Sequence, residues 1–544
     1  MTPDLIVIDA DIRTMDAARP RAEAIAMAAG RILRLGTSAD ILALGGRETQ
    51  VIDGGDRLVL PGFQDAHVHL MDGGTDMVTA APLWDVTDLA ALQAAMAIHA
   101  ASVALPIVIG TGWQPGLFGD NNLTAAVIDA VVGDRPAILY DSSYHNACLN
   151  SRALHLCGIG ADTPDPPNGH FVRDAQGRAT GMLHEDAIHH ALQFLPALGP
   201  DDHLAGAMAG QAHANRHGIT GITDPRVVDH NVAAYATLAA RGALTLRVAG
   251  AALVTARDRV DTMLARLTAL RATHAGPDFH IHSAKFFLDG VFENRTAAML
   301  SPYTDPPGGN ADLMFPPDQI ASLFTALDAA RFQIHVHVIG DAAARAALDG
   351  FETALRANGP WPSLHQLAHL QSVDPADIPR IAALGAMANI QPLWARFDPT
   401  VPDIALNMIG PARLPRTYAF RQMLNAGAPF CLSSDFAVST LNPFEIIETA
   451  VTRQPAVRDG LTPAFLPDER LTVAEAVQGY TTHAAAACWR GHFTGRLTPG
   501  FSADLIVLDR NIFATPHAAI SETQVLLTLF KGRAVHRSAG FPVQ

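Results

Sequence analysis

The sequence predicts an α/β protein with a (β/α)8 barrel, a composite β domain made from both chain ends, and a long insertion after the first barrel strand. Short β-branched runs alternate with Ala- and Leu-rich stretches of helical period through the middle of the chain, which is typical of a parallel sheet. Eight strand candidates can be counted there, the number that closes such a barrel. Both chain ends instead show short apolar runs separated by turn residues, which indicates β-hairpins.

The two chain ends share one texture. Residues 1–59 carry Gly, Asp and Asn between their apolar runs, with one short stretch of helical potential near 38–44. Residues 491–544 repeat this pattern in the runs 503–509 and 525–536, where Lys531 and Gly532 supply a turn. We expect 1–59 and 491–544 to form one composite β domain. The alternative is two separate β appendages.

The barrel domain is expected over residues 60–490. Its eight strand candidates are 57–70, 218–225, 244–250, 280–290, 333–341, 365–371, 386–392 and 429–435. Stretches of helical period follow most of them, at 232–240, 260–272, 317–330, 342–357, 375–384 and 443–452.

The first crossover is different from the others. Residues 71–217 contain strand candidates of their own at 106–113 and 135–141, followed by a helix at 202–217. An insertion after a barrel strand emerges at the face that carries active sites. We therefore expect this subdomain to shape a substrate pocket.

Composition and charge exclude several classes of protein. Hydrophobic residues make up 49% and charged residues 17% of the 544 residues, which excludes a disordered chain. The net charge of −15 argues against a nucleic-acid partner, because phosphate binding needs clustered Lys and Arg. Four cysteines without a C-x-x-C pair indicate neither a disulfide framework nor a thiolate zinc site.

The sequence also carries expectations about location and partners. Its first residues include acids where a signal peptide has a basic segment, and no apolar run approaches the roughly 20 residues of a membrane helix. We therefore expect a cytoplasmic protein with no membrane partner, and the cysteine usage fits a reducing compartment. The expected partner is a small-molecule substrate. Because large barrels often pair through exposed helices, a homodimer is also expected.

Polar side chains interrupt several apolar strands near their carboxyl ends, where an unpaired buried group is strongly destabilising. His67 and His69 are two residues apart, so a strand points both into the barrel. Lys285 lies among apolar residues and needs an anionic neighbour or a modification, such as carboxylation to a carbamate that bridges two cations. The alternatives are a chance His-x-His pattern and a lysine that reaches solvent at a strand end. His280 and His282 have the opposite parity to Lys285 and are expected at the outside or the rim.

Strands five, six and eight add further candidates. His337 and His369 lie nearer the carboxyl ends of their strands than His335 and His365, which we interpret as supporting groups behind the ligands. Asp435 ends the apolar run of strand eight, and helix capping is the alternative interpretation of this Ser-Ser-Asp sequence.

Together these positions predict a metal centre held by His67, His69, Lys285, His337, His369 and Asp435. Imidazole, carboxylate and carbamate ligands without thiolate suit zinc, and manganese or iron are also compatible. Two divalent ions are the natural number for six ligands of which one bridges. Such a pair generates hydroxide from water near neutral pH and polarises a carbonyl, and Asp435 would carry the proton from the water to the leaving amine.

The same residues lie in motifs that extend over most of the chain. They are PGFQDAHVHL (61–70), HNACLNSRAL (145–154), GMLHEDA (181–187), KFFLDGVFENRTA (285–297), HVHVIGDAA (335–343), AHLQ (368–371), QPLW (391–394), SSDFAV (433–438) and LTPGFSADLIVLD (497–509). In these motifs the chain resembles the amidohydrolase superfamily and, within it, the amidohydrolase family 3 branch that includes N-substituted formamide deformylase.

This resemblance implies a barrel joined to a β-sandwich built from both chain ends, and a binuclear centre bridged by N6-carboxylysine at Lys285. It implies that the strand-one histidines, the lysine and Asp435 hold one metal, and that the lysine and the other two histidines hold the second. The residues that it implies at the substrate pocket are Trp113, His145 and Glu185. Cys148 stands where the family usually has an aromatic residue, a departure that affects the expected shape of the substrate.

The predicted function is metal-dependent hydrolysis of a C–N bond in an amide, an N-substituted formamide or a related non-peptide substrate. The alternatives are a mononuclear deaminase and a non-hydrolytic lyase or isomerase, because one barrel supports many chemistries. Lys285 argues against the deaminase, since a bridging ligand has no role with one metal. A non-catalytic binding or regulatory protein would show a degraded ligand set, and no degradation is visible in the sequence.

Overall fold

The computed structural model of the chain describes residues 1–114, 117, 122–306, 308–397, 407–456 and 462–541. The amino-terminal segment and the first barrel strand contain β1 (Leu5–Ile8), β2 (Asp11–Arg13), β3 (Arg21–Ala22), β4 (Ala24–Ala28), β5 (Arg31–Gly36), α1 (Ser38–Leu42), β6 (Gln50–Asp53), β7 (Leu58–Pro61) and β8 (Phe63–Asp65). The insertion contains α2 (Leu70–Thr79), β9 (Ala80–Pro82), α3 (Leu89–Ser102), β10 (Val108–Trp113), α4 (Ala125–Val132), β11 (Ala137–Asp141), β12 (Asn146–Leu149), α5 (Ser151–Cys157), β13 (Gly169–Arg173), β14 (Ala179–Glu185), α6 (Asp186–Leu192) and α7 (Pro200–Arg216).

The remaining elements complete the barrel and the carboxyl-terminal strands. Those of the barrel are β15 (Ile219–Val227), α8 (Asp229–Ala240), β16 (Arg247–Leu253), α9 (Val260–Thr273), β17 (Phe279–Phe287), α10 (Pro317–Ala329), β18 (Gln333–Val338), α11 (Asp341–Asn358), β19 (Gln366–His369), α12 (Ile378–Ala383), β20 (Met387–Ile390), α13 (Phe420–Asn425), β21 (Phe430–Leu432), α14 (Pro443–Thr452), α15 (Val473–Gln478) and α16 (Ala484–Ala487). The chain continues with β22 (Leu505–Leu508), β23 (Val525–Phe530) and β24 (Arg533–Arg537). Among the described helices, none combines the length and the apolar character needed to cross a lipid bilayer.

Both chain ends meet in one pair of sheets. A four-stranded sheet has the order β5–β4–β1–β6, and a six-stranded sheet with the order β24–β23–β22–β7–β2–β3 joins strands from both ends. Strand β22 runs antiparallel to β7, with Leu505 opposite Pro61. One buried apolar cluster contains residues of both sheets, among them Val7, Ile25 and Leu527. The prediction of a β-sandwich built from both ends is confirmed.

The central sheet is a parallel barrel of eight strands in the order β8–β15–β16–β17–β18–β19–β20–β21. Its strands correspond to the eight strand candidates of the sequence, so the (β/α)8 prediction is confirmed. The first and last strand ends meet where the Asp435 amide donates to the His67 carbonyl at 2.9 Å. Parallel strands bring their carboxyl ends to one face, which positions the side chains that follow them.

The predicted first strand, 57–70, divides at Gly62. Strand β7 before it belongs to the terminal sheet, whereas β8 after it pairs with β15 in the barrel. A Cβ at Gly62 would lie 2.4 Å from the Thr220 hydroxyl oxygen, so the crossing between the two sheets leaves no space for a side chain. His67 and His69 follow β8 in the chain and are not part of the strand.

The insertion folds around a sheet of its own, with the strand order β13–β14–β12–β11–β10–β9. The sequence predicted β10 and β11 but not the other four strands. Apolar side chains that alternate along β10 and β11 form two separate clusters, as expected for the two faces of a sheet. The insertion therefore has its own core beside the barrel.

His282 is buried, contrary to its expected place at the outside or the rim. The register of β17 against β16 shifts between Ile281 and Ser283, which makes His282 the additional residue of a bulge and reverses the alternation of side chains. The residue is 3% exposed, and its ring centroid lies 4.9 Å from that of Trp489.

A buried ion pair joins the barrel to the carboxyl-terminal sheet. Arg247, at the start of β16, pairs with Asp504 and donates to the Ser502 hydroxyl at 2.7 Å. The Arg247 and Asp504 side chains are only 4% and 5% exposed, and the guanidinium lies 4.8 Å from the ring centroid of Phe530.

We expect Arg247→Met to lower the free energy of unfolding by about 3 to 5 kcal/mol, because it leaves the Asp504 carboxylate buried without its cation. Urea and thermal unfolding followed by circular dichroism measure the change. Arg259→Met is the control, since the Arg259 side chain is 81% exposed. Equal stability of Arg247→Met and the wild type would show that this pair does not hold the two parts together.

Candidate metal centre and substrate cavity

One cavity of about 1170 Å³ opens at the carboxyl ends of the barrel strands. The structure brings all six predicted metal ligands to its wall: His67, His69, Lys285, His337, His369 and Asp435. They come from the ends of five strands that are far apart in the sequence.

Asp435 lies at the centre of three of the histidines. Its Oδ1 is 3.4 Å from both His67 Nε2 and His69 Nε2, and its Oδ2 is 3.9 Å from His369 Nδ1. One ligand atom from each of His67, His369 and Asp435 lies within 4.8 Å of the others. The three side chains therefore offer nitrogen and oxygen donors close to one another, as a cation site requires.

The backbone at two of these residues is strained. Asp435 has φ 54° and His369 has φ 82°, values in the left-handed region that side chains other than glycine rarely adopt. Strain of this kind persists where the surrounding structure holds a residue in place, and it is common at functional sites.

The Lys285 amine is buried among these ligands. The residue is 0% exposed, and within the described residues its Nζ makes no hydrogen bond. Among charged groups, Asp435 has the largest effect on the Lys285 pKa, and the Phe287 ring centroid is 4.5 Å from Nζ. Burial lowers the pKa of Lys285 to about 7, although Asp435 acts in the opposite direction. A large fraction of the amine is therefore neutral near pH 7.

Burial favours the neutral form of three of the predicted histidine ligands. Burial lowers the pKa of His67, His337 and His369 well below the usual value, and Lys285 adds to this effect. One nitrogen of each ring has a partner that orients it. His67 Nδ1 lies 2.8 Å from His335 Nε2. His337 Nε2 lies 3.2 Å from the Gly290 carbonyl, and His369 Nδ1 lies 3.0 Å from Gln391 Oε1. A neutral imidazole held in this way can offer its other nitrogen to a metal.

His365 lies behind this centre. Its Nε2 is 3.0 Å from Asp328 Oδ1, and its Nδ1 accepts from the Ile334 amide at 3.1 Å. These contacts make it a structural residue, whereas His335 contacts His67 directly.

Two residues of the insertion complete the wall beside His337. His145 Nδ1 is 2.7 Å from Glu185 Oε2, and Glu185 also accepts from the Thr296 hydroxyl at 2.7 Å and the Asn294 amide at 3.3 Å. Burial lowers the pKa of His145, but the charge and hydrogen bond of Glu185 together with the charges of Asp141 and Glu293 raise the value to about 9. The His145 ring is 5.7 Å from that of His337. Three sequence motifs, 145–154, 181–187 and 285–297, meet at this pair.

The structure does not place Trp113 with them. This residue is 0% exposed and belongs to an apolar cluster in the core of the insertion that also contains Leu83 and Met96. The register of β10 shifts between Thr111 and Trp113, which turns the Trp113 side chain to the other face of the sheet. Trp84 lines the cavity instead, and a Cβ at Gly112 would lie 2.4 Å from its ring.

Cys148 also lies in that core. It is buried, it belongs to the same cluster as Trp113, and its thiol is 3.8 Å from the Leu149 carbonyl. The expected effect of this position on substrate shape is therefore corrected, because Cys148 packs inside the insertion and away from the cavity wall.

Sequence reasoning missed several polar residues of the cavity. Arg226 follows Pro225 at the carboxyl end of β15, and Asp72 and Asp76 lie one and two turns into α2 after His69. A charged residue at the end of a barrel strand was an available signal for Arg226. No comparable signal marked the two aspartates, because acidic residues are common on exposed helix faces.

Comparison with known proteins identifies the family of this chain. The sequence profile of the amidohydrolase family matches residues 50–536. The chain belongs to this family, as its motifs predicted, and membership supports a hydrolase activity.

Individual relatives cover almost the whole chain. Protein LONG AFTER FAR-RED 3 of Arabidopsis thaliana is 27% identical over 98% of this chain and 91% of its own length. The N-substituted formamide deformylase of Arthrobacter pascens is 28% identical over 97% of each chain. An uncharacterized metal-dependent hydrolase from Pyrococcus furiosus has a TM-score of 0.73 at 24% identity, covering 94% of this chain and 99% of its own, which shows the shared fold.

Proposed function

We propose that this protein hydrolyses a C–N bond of a non-peptide amide, such as an N-substituted formamide, and that it uses two divalent cations. The observation that carries the proposal is the buried Lys285 amine, which has no hydrogen-bond partner among the described residues and lies with the histidines and the Asp435 carboxylate. The relative named N-substituted formamide deformylase supports the choice of substrate class.

The residues present fit two cations. His67, His69, Lys285 and Asp435 would hold one ion, and Lys285, His337 and His369 would hold the second. Nitrogen and oxygen donors without thiolate favour zinc. Cations bound there would activate a water molecule for attack and polarise the carbonyl of the substrate.

Lys285 can bridge two cations only as a carbamate. Its neutral amine adds to carbon dioxide, which forms an N–C bond and releases one proton. The lowered pKa favours this step, since only the unprotonated amine is nucleophilic. Burial also excludes the alternative of a solvent-exposed lysine, because the residue is 0% exposed.

Asp435 is the proposed proton carrier. Its Oδ1 makes no hydrogen bond within the described residues, so this oxygen is available to accept a proton from the attacking water. The same carboxyl group then donates the proton to the nitrogen of the leaving amine, which breaks the C–N bond.

His145 and Glu185 are proposed to contact the substrate. The raised pKa of His145 keeps its ring protonated at neutral pH, so its Nε2–H can donate to the carbonyl oxygen while Glu185 holds the ring in place.

The test combines metal analysis with a substrate screen. The protein is purified without added metal or chelator, its metal content is measured by plasma mass spectrometry, and amine release from N-substituted formamides and amides is assayed. We expect about two zinc ions per chain, with activity lost on chelation and restored by zinc and bicarbonate. One ion per chain would favour the mononuclear deaminase. The absence of bound metal, together with no recovery of activity when zinc and bicarbonate are supplied, would contradict a catalytic metal centre.

A further inference from the structure

Arg226 is a cation of the cavity wall that the proposed reaction does not use. It lies at the carboxyl end of β15, and its side chain is 26% exposed. The charge adds to the lowering of the Lys285 pKa, of which burial is the main cause. Arg226 also lines the same cavity as the six predicted metal ligands, so a substrate that fills this cavity can contact both.

The contacts of Arg226 leave most of its donors available. Within the described residues, its side chain donates one hydrogen bond, to His189 Nε2 at 3.3 Å, and His189 is itself 57% exposed. Arg226 Nη1 also forms an ion pair with Asp72 Oδ2 at 3.6 Å, a separation too long for a hydrogen bond. The other oxygen of this carboxylate, Asp72 Oδ1, accepts from the Asn231 amide at 3.1 Å. A guanidinium has five N–H donors in a planar fork that matches a carboxylate.

Aromatic side chains line the same cavity as Arg226. Trp84, Tyr140 and Tyr144 line the cavity, with ring centroids 5.9 Å apart for the two tyrosines and 6.5 Å apart for Trp84 and Tyr144. A bulky apolar substituent fits against such a surface.

We propose that Arg226 binds a carboxylate of the substrate, so that the preferred substrates are amides that carry both a carboxylate near the scissile bond and a bulky apolar group. This inference rests on the amide hydrolysis proposed above. The carboxylate can belong to the amine portion, as in an N-acyl amino acid, or to the acyl portion.

Matched probes separate these sources. N-formylphenylalanine carries the carboxylate on the amine portion, N-(2-phenylethyl)succinamic acid carries it on the acyl portion, and N-(2-phenylethyl)formamide carries none. We expect the wild-type, zinc-loaded enzyme to show a kcat/KM at least about tenfold higher for one of the acids than for the neutral formamide. Arg226→Met should reduce this ratio about 10- to 100-fold, mainly through KM, and Arg226→Lys less, because lysine binds as a point charge.

A binding measurement makes the test independent of turnover. Calorimetric titration of the zinc-loaded Asp435→Asn variant with the preferred acid should give a Kd that Arg226→Met weakens about 10- to 100-fold. Arg257→Met is the matched control, because Arg257 lines the same cavity and is exposed. It should leave the Kd within about twofold, since screened surface charges contribute little.

The outcomes distinguish the two proposals. Binding of an acid that depends on Arg226 but leads to no hydrolysis would contradict the amide hydrolysis and support the carboxylate site. Two results would overturn the carboxylate site in an enzyme that hydrolyses the neutral formamide. One is that neither acid binds better than the formamide. The other is that Arg226→Met leaves the ratio of kcat/KM between acid and formamide unchanged.

Discussion

We expect Asp435→Asn to lower kcat on the best amide substrate by about 10²- to 10⁴-fold, the range attributed to a positioned general acid or base. The asparagine amide is nearly the same size as the carboxylate, but it cannot accept a proton from water and return it to the leaving amine. The variant keeps an oxygen within reach of His67 and His69, whose Nε2 atoms lie 3.4 Å from Asp435 Oδ1. We therefore expect a loss in kcat that exceeds any loss of metal.

Steady-state kinetics with metal content measured on the same sample test this expectation. Glu445→Gln is the matched control, because Glu445 is another carboxylate of the cavity wall, in the first turn of α14. Full activity of Asp435→Asn at full metal content would exclude the proposed proton carrier. An equal loss of metal and activity would indicate that Asp435 acts only as a metal ligand.

The meeting of the six proposed ligands in one cavity could be predicted from sequence because two physical rules act together. An imidazole, ammonium or carboxylate inside an apolar strand needs a partner, and the carboxyl ends of parallel strands converge on one face. Lys285 is the clearest case, because it is one of only two lysines in the chain and lies in a buried strand. The distances around Asp435 required the structure.

The missed and misplaced residues have local causes that leave little trace in a sequence. The bulge before Trp113 adds Gly112 to β10 and exchanges the faces of the sheet; a glycine inside a strand, here with φ 96°, was a signal for it that sequence reasoning did not use. The same cause buries His282. The continuous apolar run 57–70 divides at Gly62 into strands of two different sheets. This division depends on the close packing of Gly62 against Thr220, which is distant in the sequence. Period-2 reasoning therefore holds only within an uninterrupted strand.

Lys285→Ala removes the proposed bridge, and we expect it to lower the metal content from about two ions per chain to one or fewer and kcat/KM by at least about 10³-fold. The loss should be larger than for an ordinary ligand, since both ions share this residue in the proposed centre. Incubation of the wild type with ¹³C-bicarbonate should also give a carbamate carbon signal by nuclear magnetic resonance, which the variant should lack.

The composition of the chain makes this measurement unusually clear. Its other lysine, Lys531, is 31% exposed and paired with Asp278 through Nζ at 2.6 Å, so Lys531→Gln is a matched control that should keep both the carbamate signal and the two ions. A carbamate signal that persists in Lys285→Ala and disappears in Lys531→Gln would assign the carbamate to Lys531 and contradict the proposed bridge at Lys285. Undiminished activity of Lys285→Ala with one ion per chain would favour the mononuclear deaminase, because that reaction needs no bridging ligand.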